Sequence, residues 1–254
     1  MSRFGYTSLG FGSGASAAAA PFANTKSVDC DGTDFYGIGN HSDLDLEGNF
    51  TMSCWFKADA IGSVDALVSW GNGALGQVRG LIFYLGKLTV NTYGYSLHHG
   101  TTPPTDTWTH AACTFDNSSP ANVLVYMNGT STTPVSGTLT VNSFATFYGP
   151  WVAGSGIAGY TFYDGNIDEV GIWNKVLSGS QINDIYNSGS PGDLTDIESS
   201  NLKAWWRMGD GDNGSGTDDN IPSSGSGTVY DMSGNSNDLT LNNCDANPAS
   251  TDVP

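Results

Sequence analysis

Asp164-Gly165-Asn166-Ile167-Asp168-Glu169-Val170-Gly171-Ile172-Trp173-Asn174-Lys175-Val176-Leu177-Ser178 decides the fold. Residues Gly165–Trp173 read as a strand of apolar and β-favouring residues, closed by Asn174 and Lys175. The period then changes. Ser178 can cap a helix over Ser178–Asn187, and Ile182, Ile185 and Tyr186 fall on one face at i, i+3 and i+4. Gly189 is the expected stop. So short a helix cannot stand alone and must dock on a sheet.

Working outward, short strand-like runs recur at roughly ten-residue spacing, as expected of an all-β sandwich rather than βαβ units. They are Ser27–Cys30, Phe35–Ile38, Phe50–Lys57, Ala66–Trp70, Leu81–Leu85, Lys87–Thr92, Thr107–Asp116, Asn122–Met127, Phe144–Tyr148, Lys203–Met208 and Asp238–Leu241. Leu85-Gly86-Lys87 reads as a tight hairpin, and Asn128-Gly129 is the strongest hairpin signal, because both residues tolerate positive φ. Residues 188–201 read as a connector and 209–228 as a polar, acidic loop. The chain is long enough, at 254 residues, to bury a core without staples.

Several runs, taken in order, resemble a laminin-G-like (concanavalin A-like) jelly roll. Cys30-Asp31-Gly32-Thr33-Asp34-Phe35-Tyr36 is similar to FDGxDDY. Leu44-Asp45-Leu46 and Phe50-Thr51-Met52-Ser53-Cys54-Trp55-Phe56-Lys57 are similar to LDL and FTISAWVK. Trp108 to Asp116 resembles WxHVAxTFD, Val123 to Gly129 resembles VxLYVDG, and Asp164 to Ser178 resembles the closing strand FxGxIDEVRIYNRALS with its helix. The resemblance covers 27–187 and implies a two-sheet antiparallel sandwich.

One departure is informative. The family's opening strand, LVAWWxFDEG followed by DxSGNGNDGTL, comes last here, as Leu202 to Gly211 and Asp231 to Leu241. Residues 202–243 are therefore expected to complete the sheets in permuted order, because a sandwich without them would leave edges bare. Completion of a neighbour's sandwich is the alternative. The domain expectation is an arm at 1–26 and one sandwich over 27–254.

Composition narrows the function. Eight Lys+Arg against 25 Asp+Glu give a net charge of −17, which disfavours nucleic acid and anionic membranes as partners. No run approaches the ~18 apolar residues of a membrane helix. Glycines interrupt the apolar stretch of the first twenty residues, so a flexible Gly/Ser/Ala arm is a better reading than a signal peptide. Cys30, Cys54, Cys113 and Cys244 show no metal-like spacing and read as buried, reduced thiols.

No catalytic residue is expected. The glucanases sharing this fold place their carboxylates at ExDxxE spacing, whereas Asp168 and Glu169 are adjacent and would point to opposite faces of a regular strand. For calcium, the resemblance implies Asp31, Asp34 and Asp168, and the DxDxG spacing of Asp210 and Asp212 adds a second candidate set. His98-His99 could ligate a metal as a pair, but neighbours on a strand point to opposite faces, so they read as an exposed loop pair; His110 belongs to the structural WxH run. Tyr93, Tyr95, Trp151, Tyr160 and Tyr163 fall in or beside loops, where rings could stack on a sugar.

The expected function is a non-enzymatic virion structural, decoration or fibre protein with a lectin-like sandwich contacting host-surface glycans. It would work as a homo-oligomer or with other virion or surface-assembly subunits. The opening Met1 to Gly12 is similar to openings of predicted structural proteins of marine bacteriophages. The alternative is a secreted or cell-surface carbohydrate-binding module.

Overall fold

The computed structural model describes residues 22–39, 41–119, 122–132, 139–144, 149–154, 157, 159–211, 221–222, 224–244 and 248–254. In chain order their strands are β1 (Ser27–Asp31), β2 (Tyr36–Ile38), β3 (Phe50–Ala58), β4 (Ala66–Gly71), β5 (Val78–Tyr84), β6 (Lys87–Asn91), β7 (Ser96–His98) and β8 (Thr109–Phe115). Then follow β9 (Leu124–Met127), β10 (Thr130–Thr132), β11 (Trp151–Val152), β12 (Asp164–Trp173), helix α1 (Gly179–Tyr186), β13 (Leu202–Trp206), β14 (Gly225–Val229), β15 (Leu239–Cys244) and β16 (Ala249–Ser250).

They form two antiparallel eight-stranded sheets packed as a sandwich. The first runs β10-β9-β8-β3-β12-β1-β16, with β13 also paired to β12; the second runs β14-β15-β2-β11-β4-β5-β6-β7. Between them lies a core in which Phe50 stacks on Phe115 at 4.6 Å and meets Trp70 edge-on at 4.8 Å. Phe56 and Phe83 join the sheets in the same way at 5.1 Å. Cys30, Cys54, Cys113 and Cys244 are buried free thiols.

Strand β3 explains why central strands here are apolar without alternation. Phe50, Met52, Cys54 and Phe56 face the inter-sheet core. The opposite face is covered too, because Trp55 stacks on Tyr186 of α1. A second apolar cluster on this outer side joins Tyr126, Trp173, Ile182, Ile185, Leu194 and Trp205. The first sheet's outward face is thus closed by the chain's own helix and connector.

The helix forms as its sequence suggests. Ser178 Oγ accepts the Gln181 N–H while the Gln181 side chain accepts the Ser178 N–H at 2.9 Å, a reciprocal cap. Its stop differs: Asn187, left-handed at φ 45°, ends it before Gly189. Both predicted hairpins form with two positive φ values, Leu85/Gly86 at 52° and 73° and Asn128/Gly129 at 50° and 72°.

The C-terminal strands complete both sheets of their own chain. Strand β13 extends the first beside β12, β15 pairs with β2 in the second, and β16 caps β1. Part of the expected 209–228 loop is strand β14, whose Gly-Ser-Gly-Thr-Val sequence carries little apolar alternation and pairs only because β15 lies beside it. Phe144 is not in a strand, and the rest of the run expected at Phe144–Tyr148 lies outside the described residues. Of the expected arm, residues 1–21 also lie outside them, whereas Phe22 to Lys26 lie against the sandwich, as detailed below.

Candidate functional site

The second sheet's outward face holds a cleft of about 220 Å³ lined by Val64, Tyr84, Asn91, Tyr93, Gly94, Ser96, Gly159 and Tyr160. Alternation along β6 puts Leu88 and Val90 into the core and Thr89 and Asn91 onto the outward face. Tyr93 and Gly94 then form a two-residue turn, with Thr92 N–H donating to Tyr95 C=O at 3.0 Å. Tyr93 sits at φ 57°, a conformation unfavourable for an aromatic residue, and this places its ring at the cleft.

Asn91 organises the cleft. Its Oδ1 accepts the Tyr93 N–H at 2.6 Å and the Tyr160 hydroxyl at 2.5 Å, and its Nδ2 donates to Ser96 Oγ at 2.8 Å. Tyr84, at the rim, stacks on His98 at 5.8 Å, and a His98 ring nitrogen bonds Thr89 at 2.8 Å. His98 therefore lies on the strand rather than in a loop, and burial followed by the Lys87 charge holds its pKa below the ordinary value. The cleft offers half-exposed phenol rings over a network of neutral hydroxyls and amides.

Two of the five aromatics expected at a ligand site meet here, Tyr93 and Tyr160. Trp151 is on the same face further along, packed on Tyr36 at 5.1 Å. Tyr95 is partly buried against the core. Tyr163 is corrected: it is fully buried, its hydroxyl donates to Asn166 C=O at 3.0 Å, and its ring is core. Tyr84 and Asn91 were not singled out from sequence, since both lie in runs that read only as strands.

Asp168 and Glu169 are the second correction. Strand β12 bulges between Asp168 and Gly171, with Glu169 at φ 46°. The extra residue resets the alternation, so Ile167 and Val170 both face the core and the two carboxylates both lie on the outer side. They sit in the gap on β12 where β1 ends and β13 begins. Glu169 accepts the Trp205 indole N–H at 2.5 Å and pairs with Arg207 at 3.0 Å. Asp168 accepts Asn24 Nδ2 at 2.9 Å. Phe22 stacks on Trp205, the Arg207 guanidinium lies 4.2 Å from the Phe22 ring centroid, and Asp210 accepts the N–H groups of Thr25 and Lys26. This strap leaves Asp168 and Glu169 0% and 2% exposed. Burial pushes the Glu169 carboxyl up to about 7 against Arg207, and burial and then the Glu169 charge push Asp168 up as well.

The residues expected at calcium sites do not converge. Asp31 lies at the far end of β1, opposite Asp164. Its carboxylate is engaged by Thr33 N–H at 2.9 Å and Thr33 Oγ1 at 2.7 Å. Burial raises its pKa, but these bonds outweigh it and leave the carboxyl below its usual value. Asp34 is exposed beside it. Asp168 and Asp210 belong instead to the strapped gap, and Asp212 lies outside the described residues. Among the described residues no group of three or more His, Cys, Asp or Glu side chains is placed together as a metal site would place them.

His99 is buried rather than an exposed loop residue, with Nδ1 accepting the Thr101 N–H at 3.1 Å. His110 is buried between Trp55 and Tyr186, and neither ring nitrogen has a partner among the described residues. Burial pushes its pKa down to about 3.

Comparison with known proteins agrees with this architecture. A family model described as the concanavalin A-like lectin/glucanases superfamily matches residues 31–183. A Bacteroides ovatus protein, named as a candidate carbohydrate binding protein, superposes with a TM-score of 0.62 at 16% identity over 91% of this chain; the match spans 61% of that protein's length. The CBM40 domain of the Ruminococcus gnavus IT-sialidase, solved with α2,3-sialyllactose, superposes with a TM-score of 0.52 at 12% identity, over 63% of this chain and 96% of that one. No curated protein matches the chain.

Proposed function

From the premise that the chain belongs to the concanavalin A-like lectin/glucanases superfamily, we propose that it is a non-enzymatic glycan-binding sandwich. The cleft of Tyr84, Tyr93 and Tyr160 is its binding site. One observation carries this reading: Tyr93 is held in a strained turn with its ring at a cleft where Asn91 and Ser96 supply hydrogen-bonding groups. Phenol rings stack on the apolar faces of sugars while neutral hydroxyls and amides fix orientation. The non-enzymatic part rests on Asp168 and Glu169. Glycoside hydrolysis needs two carboxyls open to the scissile bond, and these two are sealed under Phe22 and Asn24.

The test is a glycan array followed by titration calorimetry on the full chain and on Tyr93→Ala. Binding by the wild type, and its loss in the folded variant, is the expected result. An empty array, or a variant that binds as well as the wild type, refutes the reading.

We further propose that the sandwich is carried on a larger body, a virion or a surface assembly, with the part of the arm that precedes the strap, residues 1–21, as its attachment. This rests on the sequence: a Gly/Ser/Ala-rich opening with the bacteriophage resemblance noted above. Light scattering and partner pull-down, with and without residues 1–21, test it. Unchanged size and unchanged partner capture would overturn it.

A further inference from the structure

The cleft does not stand alone on the outward face of the second sheet. Thr161 bridges to Asp65 at the end of β4, so Tyr160 and Phe162 flank one extended residue and project to the same side. The Tyr160 ring reaches across β5, where a Cβ added to Gly80 would lie 3.6 Å from it, and its hydroxyl ends on Asn91 of β6. Phe162 turns the other way, toward β2, and packs at 6.4 Å on Tyr36, which in turn meets Trp151 of β11 at 5.1 Å. A Cβ at Gly154 would come within 2.8 Å of Phe162 and 2.9 Å of Tyr36, so this close approach requires glycine. Tyr36, Trp151 and Phe162 are all half-exposed. The rings thus form one line from Tyr93 past Trp151 to Tyr36, spanning the strand order β6-β5-β4-β11-β2, roughly 19 Å at the usual strand spacing.

Charge defines what this line can hold. Neither the cleft lining nor the Tyr36–Trp151–Phe162 cluster contains Asp, Glu, Lys or Arg. Asp65, beneath the line, is buried and engaged by Thr161 Oγ1 at 2.7 Å. Lys87 lies on the same face of β6 as Asn91 and directly opposite Tyr84 across the hairpin, at the rim of the cleft and outside its lining. An anionic ligand would meet no guanidinium in the site and a net charge of −17 around it.

We propose that the ligand is a linear, uncharged oligosaccharide running from the cleft over Tyr160 and Phe162 to a second subsite formed by Tyr36 and Trp151. This rests on the glycan-binding reading above and adds the length and the charge class of the ligand. A single sugar would occupy the cleft alone; a chain would stack on both ring clusters and gain affinity from each added unit that reaches the second.

The experiment titrates the full chain with cello-, xylo-, malto- and arabino-oligosaccharides of two to six units, with sialyllactose as the anionic comparator, following tryptophan fluorescence and heat. Affinity for the best-bound series should rise about tenfold or more with length. Trp151→Ala should remove that rise while leaving the two-unit affinity unchanged. Tyr36→Ala serves as a second variant if Trp151→Ala does not fold. Equal affinity for short and long chains, unaffected by either variant, overturns the second subsite while leaving the cleft intact. Tighter binding of sialyllactose overturns the uncharged class. No binding by any sugar refutes the glycan-binding reading itself and this inference with it.

Discussion

The Tyr160 hydroxyl donates to Asn91 Oδ1 at 2.5 Å, the same oxygen that accepts the Tyr93 backbone N–H at 2.6 Å. One amide thus ties the loop across the sheet to the strained hairpin. A two-residue turn with both φ values positive favours Asn-Gly, and Tyr93 stands where that Asn would be. Tyr93→Asn should therefore raise stability by about 1 kcal/mol while weakening glycan binding. Paired urea unfolding and calorimetry check it. A variant that is less stable, or that binds as tightly, contradicts the assignment of the strain to function.

Glu169 gives stability a pH dependence. Its folded pKa, raised by burial to about 7, lies above the ordinary carboxylate range. In that window the folded chain holds a proton the unfolded chain has lost, so stability falls as pH rises. Asp168, also raised, adds to the same trend. Glu169→Gln should make the fall between about pH 5 and 7 shallower, by up to about 1.4 kcal/mol per pH unit. Denaturant unfolding across that range measures it, and an unchanged slope would refute the argument.

His110 acts in the opposite sense. Its folded pKa is pushed down to about 3 by burial, against about 6.5 for an exposed imidazole. Between those values only the unfolded chain takes up the proton, so this group removes stability as pH falls. His110→Phe keeps a ring between Trp55 and Tyr186 without a titrating group. Its stability relative to the wild type should improve steadily on acidification below about pH 6; a constant difference would count against the buried neutral histidine.

The strap over the acidic gap depends on Phe22, which packs against both Trp205 and Arg207. Phe22→Ala should cost about 1 kcal/mol and speed proteolytic cleavage within residues 22–26. Mass spectrometry of timed digests reads this, and an unchanged cleavage rate would show that Phe22 does not hold the strap.

Gly129 has φ 72°, and a Cβ there would come within 2.8 Å of Asn183 Oδ1 on α1. Gly129→Ala should therefore cost about 1–2 kcal/mol through backbone strain and displacement of the helix. A melting temperature equal to that of the wild type would disprove it.

Much of the fold is legible along the chain because its determinants are local. Asn128-Gly129 specifies a hairpin by its own φ preferences, and Ser178 with Gln181 caps α1 within one turn. Strands β7, β11, β14 and β16 escape such a reading, since two to five residues with sparse apolar alternation are held by pairing to distant partners. The site is less legible for the same reason. Tyr93 and Tyr160 could be named as loop aromatics, but a ring in Tyr163 looks the same in sequence and is core.

By itself the sequence determined the all-β class and the single helix, because periodicity and turn chemistry are properties of neighbours in the chain, and its resemblance to the family's motifs added the antiparallel sandwich and the rearranged order of the last strands. Only the tertiary structure decided which side chains share a site. The bulge at Glu169 turns two adjacent carboxylates to one side and buries them under residues 22–26, and Asn91 joins Tyr93 to a loop nearly seventy positions away. Both outcomes depend on register between strands remote in sequence, where a shift of one residue reverses every side chain's face.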